Sequence, residues 1–107
     1  MKMVLAVIDK DDFPDVMQNL VKEGFSITTL STTGGFLRAG NVTILVGVDD
    51  DQIQKVISVI KEYSRSRTRQ MPVMPGSEMG YLSTIPVEVA VGGATVFVLN
   101  VEHFEKI

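Results

Sequence analysis

The sequence predicts an α+β domain of the ferredoxin-like kind, βαββαβ in order, with a C-terminal β-hairpin and both helices on one face of the sheet. Three observations predict it. Apolar runs alternate along the chain with segments whose apolar residues recur every three or four positions. The two strand–helix–strand halves so defined are similar in length. The chain is 107 residues, 45% hydrophobic and 21% charged, which one core can organise as a single domain over residues 1–107.

Met3-Val4-Leu5-Ala6-Val7-Ile8 is a continuous apolar run, as expected of a strand central in a sheet. Asp9-Lys10-Asp11-Asp12 ends it with turn and helix-start residues. Phe13, Val16, Met17, Leu20 and Val21 then form the stripe of an amphipathic helix. Pro14 fits only its first turn, Asp11 or Asp12 supplies a cap, and Gly24 stops it in a left-handed conformation. Residues 25–30 alternate apolar and polar and predict a second strand, with a glycine-punctuated loop over 32–40 after it.

Residues 42–48 predict a third strand. Asp49-Asp50-Asp51 opens a second helix with Ile53, Val56, Ile57 and Ile60 on its apolar face, and Lys61 and Arg65 complement the dipole at its far end. Residues 65–83 show no sustained period and contain Pro72, Pro75, Gly76 and Gly80, which predicts a long connection. Residues 87–91 and 94–99, joined by Gly92-Gly93, predict two strands in a tight hairpin, and 101–105 a short helical tail. A ferredoxin-like sheet leaves one face bare. Strands this apolar predict that further copies of the chain cover it.

Composition narrows the chemistry. The absence of cysteine excludes disulfides, thiolate metal sites and a cysteine nucleophile, and a single histidine, His103, excludes a two-histidine metal site within one chain. No apolar run approaches the ~18 residues of a membrane helix and no signal peptide opens the chain, so a soluble cytoplasmic domain is expected. The net charge of −3 argues against nucleic acid or an anionic membrane as partner.

Few motifs carry chemistry. Gly34-Gly35 and Gly40 suggest a phosphate loop, but Asn41 and Val42 stand where such a loop needs Lys and Ser or Thr. The glycines still free backbone N–H groups for a ligand, with Arg38 as the one cation among them and Phe36-Leu37 at the tip. Spacing alone leaves open whether Phe36 meets a ligand or folds onto its own core. Arg65, Arg67 and Arg69 suit a phosphate grip or a solvated helix end. The aspartate clusters lack the EF-hand spacing and read as helix caps. His103, between Glu102 and Phe104, suits a surface or interface role. With no nucleophile–base pair singled out, no enzyme, metal or cofactor is expected.

The run Thr32-Thr33-Gly34-Gly35-Phe36-Leu37-Arg38-Ala39-Gly40-Asn41, with Pro86-Val87-Glu88-Val89 and Val91-Gly92-Gly93-Ala94-Thr95-Val96-Phe97-Val98, resembles the PII-like cyclic di-AMP receptor family over essentially the whole chain. The resemblance implies a non-enzymatic homotrimer with packed sheets, the effector held in clefts between subunits, and two long loops that rearrange on binding. By position, Thr28 would hydrogen-bond the ligand, and Gly35, Phe36 and Leu37 would line the adenine pocket. Asn41 would read the polar edge of a base, Gly47 and Gly92 would let backbone come close, and Phe97 would form an apolar wall.

The chain also departs from that family's pattern. Ser26 stands where binders usually carry Arg, and Lys106 where they carry Gln. Gly76-Ser77-Glu78-Met79-Gly80-Tyr81 replaces an Asn-Ala-Asp-Ser-Tyr stretch. The expectation is a cytoplasmic trimeric sensor of cyclic di-AMP, with 32–40 and 65–86 as its movable segments and a downstream protein as its target. The alternative is a trimeric interaction module that has lost this ligand and answers to another small molecule or a protein.

Overall fold

A computed structural model describes residues 1–30, 40–72 and 86–107, and these form a small α+β fold. Strand β1 (Lys2–Asp9) buries Val4, Ala6 and Ile8 completely on one face, and the alternate residues Leu5 and Val7 point to the other. It pairs antiparallel with β3 (Asn41–Val48) on one side and with β6 (Ala94–Asn100) on the other. β2 (Ile27–Leu30) adds antiparallel to the outer edge of β3, so the order is β2-β3-β1-β6. The register sets apolar residues opposite one another on both faces. Val4 faces Val46 and Ala6 faces Ile44 on one, and Leu5 faces both Leu45 and Phe97 on the other. A slip of one residue would exchange the two sets, which is why the alternation specifies the pairing.

Helices α1 (Phe13–Lys22) and α2 (Ile53–Tyr63) cover the first face. Their stripes bury Val16 and Leu20, and Val56 and Ile60, against Val4, Ala6, Ile8, Ile44 and Val46. Pro14 lies in the first turn of α1, where no intrahelical bond is lost. Gly24 ends the helix at φ +94°, and its N–H donates to the Val21 carbonyl at 2.9 Å while the Phe25 N–H reaches the Leu20 carbonyl at 3.1 Å. This pair of bonds satisfies carbonyls that the helix end would otherwise leave open. No helix among the described residues is long and apolar enough to cross a membrane.

Four expectations are corrected. Residues Arg67–Pro72 form strand β4, which pairs antiparallel with β5 (Pro86–Val91) in a separate two-stranded sheet. The C-terminal hairpin therefore does not form: β5 pairs with β4, and β6 pairs with β1. Gly92 and Gly93, at φ +78° and +79°, carry the chain from one sheet to the other instead of closing a turn. Each strand finds a longer ladder away from its sequence neighbour.

The aspartates do not cap as expected. Asp12 occupies the N-cap position of α1 without a side-chain cap bond, because its carboxylate is engaged by Arg67. Asp50–Gln52 form a 3₁₀ turn ahead of α2, and Asp49 makes no side-chain cap bond there. Residues 101–107 are not helical. In that tail the His103 ring meets Glu105 two residues on, at 3.2 Å, a pairing that a helix, whose neighbours on one face are three or four residues apart, does not make.

Candidate ligand-binding site

Among the described residues, the sheet face away from the helices is apolar and open. Leu5, Val7, Leu30, Thr43, Phe97 and Leu99 line a shallow depression of about 610 Å³ across it. Phe97 and Leu99 remain 52% and 46% exposed in the single chain, far from what a stable surface of this size favours. Thr43 is only 3% exposed, and its Oγ1 has no hydrogen-bond partner among the described residues.

The expected site residues fall into three groups. Thr28, Asn41, Gly47 and Phe97 share this open face by strand alternation. Thr28 lies opposite Leu45 on β3, Leu45 opposite Leu5, and Leu5 opposite Phe97, so one row crosses the whole sheet. Thr28 and Phe97 sit on opposite edge strands, three strand spacings or roughly 14 Å apart. Gly92 lies off this face, at the root of β5. Gly35, Phe36 and Leu37 lie outside the described residues, as does most of the segment 32–40.

At Gly92 the close approach is made by the protein itself. Arg67 spans to Asp12 with Nη2 at 3.1 Å from Oδ1 and Nη1 at 3.3 Å from Oδ2, and Nη1 also donates to the Arg65 carbonyl at 3.2 Å. This two-pronged pair ties the root of the β4–β5 ribbon to the start of α1. The hydrogen bond that Arg67 donates to Asp12, then the Asp12 charge, raises the Arg67 pKa above its ordinary value, and Asp9 and Asp11 act in the same direction. A Cβ at Gly92 would come within 2.5 Å of Arg67 Nη1 and 2.7 Å of the Arg65 oxygen. Gly92→Ala is therefore expected to destabilise the fold by about 1–3 kcal/mol, through both its positive φ and the displaced Arg67. Gly47, with ordinary φ and nothing within 4 Å of a Cβ, is the control. Urea unfolding should separate Gly92→Ala from a near-neutral Gly47→Ala; equal midpoints would refute the packing role.

Two further cavities flank the sheet. One, of about 530 Å³, lies between the end of α2 and the start of β6, with Ile57, Ile60 and Val96 as its apolar lining and Lys61, Arg65 and Gly93 also around it. The buried Ser64 beside it donates its hydroxyl to the Ile60 carbonyl. The other, of about 330 Å³, lies at the start of β2 among Glu23, Ser26, Gly47, Asp49 and Gln52. The first was missed from the sequence, because Lys61 and Arg65 read as dipole partners of α2 and nothing local ties them to residues 93–96. Among the described residues, no group of three or more His, Asp or Glu could hold a metal ion.

A family model described as "Cyclic-di-AMP receptor" matches residues 1–107, the whole chain. The chain belongs to the cyclic-di-AMP receptor family. As a cyclic-di-AMP receptor family member it has a binding and signalling role, and receptor membership implies binding rather than turnover. Among solved structures, the fold is similar to "The crystal structure of a functionally unknown protein from Pediococcus pentosaceus ATCC 25745". That protein is 36% identical, the match covers 99% of this chain and 96% of that one, and the TM-score is 0.74. The four-stranded antiparallel sheet with its two helices is thus shared with a solved relative of this receptor.

Proposed function

We propose that the chain is a cytoplasmic, non-enzymatic receptor of the PII-like, ferredoxin-like kind, which binds cyclic di-AMP between the subunits of a homotrimer. One observation supports this most. The residues expected at the ligand lie on one apolar face but at its opposite edges, Thr28 on β2 and Phe97 on β6, too far apart to close around one base. Head-to-tail packing of copies sets the β2 edge of one beside the β6 edge of the next, and three copies close the ring. The same packing covers Leu5 and the exposed Phe97 and Leu99.

In this reading Thr28 and Asn41 hydrogen-bond the ligand, and Gly47 admits it close to the backbone. Phe97 forms an apolar wall, and Gly35, Phe36 and Leu37 complete the pocket, while Gly92 seats Arg67 at the root of the ribbon. Binding biases the segments 32–40 and 65–86, the second including β4, toward one arrangement that a downstream protein recognises. Only a difference in ligand affinity between two arrangements can drive such a switch. A two-stranded ribbon such as β4–β5 is marginal by itself, which suits an element whose placement a ligand controls.

Titration calorimetry with cyclic di-AMP at a protein concentration of about 100 μM tests the reading, since that range detects even weak binding. Binding is expected, weakened roughly three- to tenfold by Thr28→Ala, which removes one hydrogen bond. Absence of both heat and thermal shift would overturn it. The acidic surroundings of Ser26 favour one second reading, a trimeric interaction module without this ligand. Recovery of the same protein partner with and without the nucleotide would support that module.

A further inference from the structure

Resting on the receptor reading above, we infer that this chain reads the ligand's phosphodiester charge with Lys61 and Arg65, at the end of α2, and not at the start of β2. Cyclic di-AMP joins two purines through two phosphodiesters, so its site must offer flat apolar surface beside positive charge. The cavity at β2 offers the opposite. Glu23 and Asp49 line it, Ser26 is neutral, and the nearby Lys55 ammonium is held by Glu23 at 2.9 Å. Among the described residues, a phosphate placed there would meet carboxylates with no free cation to offset them.

The groove between α2 and β6 has the required pairing. Its volume of about 530 Å³ lies within the range of small-molecule sites, and Ile57, Ile60 and Val96 give it an apolar lining. Lys61 and Arg65 flank it and make no ion pair among the described residues, whereas Arg67, two residues on, is engaged by Asp12. One effect opposes the assignment. The groove lies at the C-terminal end of α2, whose dipole places about half a negative charge there. Two full positive charges outweigh it, and they leave a net positive rim over an apolar floor. The Arg65/Arg67/Arg69 alternation of the sequence is thereby divided. Arg65 faces the groove, and Arg67 anchors the ribbon.

The test measures cyclic di-AMP affinity by calorimetry at about 50 and 300 mM salt for the wild type, Lys61→Gln, Arg65→Gln and the control Lys22→Gln on α1. Light scattering and melting temperature confirm an unchanged assembly. Lys61 and Arg65 are exposed, so their loss leaves the core intact. Each groove variant is expected to bind roughly ten- to a hundredfold more weakly at low salt, with a shallower salt dependence, and Lys22→Gln to bind as the wild type does. Wild-type affinity in both groove variants would overturn the inference and leave the receptor reading standing. A wild type that binds no cyclic di-AMP would overturn both.

Discussion

Ile44→Ala is expected to lower stability by about 2–5 kcal/mol and the melting temperature by roughly 10 °C or more. Ile44 is fully buried on β3, opposite Ala6 on one side and Thr29 on the other, beneath the two helices. Truncation removes its transfer free energy and leaves a cavity that a close-packed sheet–helix layer cannot collapse to fill. Total stability of a domain this size is only about 5–15 kcal/mol, so the change is a large share of it. The informative comparison is Leu45→Ala, one residue on and facing the open side, where Leu45 is only half-buried in the single chain. Ile44→Ala should lower the urea midpoint at every protein concentration. Leu45→Ala should lower it mainly where assembly contributes, at high concentration. Equal, concentration-independent losses would contradict the division of the sheet into a core face and an assembly face.

Leu5→Asp is expected to convert the proposed trimer into an 11.7 kDa monomer by light scattering, with the two helices still folded by circular dichroism. Leu5 lies at the middle of the open face, opposite Leu45 and Phe97. In the single chain an aspartate there is solvated and tolerated. In an assembly it becomes a carboxylate without a cation, repeated in every copy, and each burial of that kind costs several kcal/mol. The free energy of closing a ring is then lost several times over. A wild type that is already an 11.7 kDa monomer at working concentration would refute the trimer itself. A Leu5→Asp variant with wild-type mass would place the interface elsewhere.

Much of the core was legible in the sequence, because period alone reports which face of an element is buried. The run 3–8, the stripe Val16 to Leu20 and the stripe Val56 to Ile60 all became core elements. β4 was not legible, because Arg67-Thr68-Arg69-Gln70 has no apolar alternation and its ladder depends on a partner some twenty residues away. The Gly92-Gly93 pair shows a different limit. Two glycines between apolar runs signal a change of direction, but pairing between the flanking strands is decided by competition with β1 and β4. Asp12 misled for a similar reason: a cap-type residue before a helix is a local expectation, and a guanidinium that reaches it from residue 67 overrides it.

The candidate site divides in the same way. Thr28, Asn41, Gly47 and Phe97 were named from resemblance, and only the register of three strand pairs puts them on one face. The groove with Lys61 and Arg65 was invisible, because it joins the end of one helix to the start of a strand some thirty residues later.

The ferredoxin-like order read from two similar halves remains the starting point, and the sequence by itself determined the helices, the core strands and the exclusion of thiol chemistry. These follow from side-chain period and composition, which are local properties of the chain. Tertiary structure alone decided which strands pair and, among the described residues, that Arg67 anchors while Arg65 makes no ion pair, and which face stays open. Those outcomes depend on competition between distant segments for the same backbone edges and the same charges, and no local pattern records who wins.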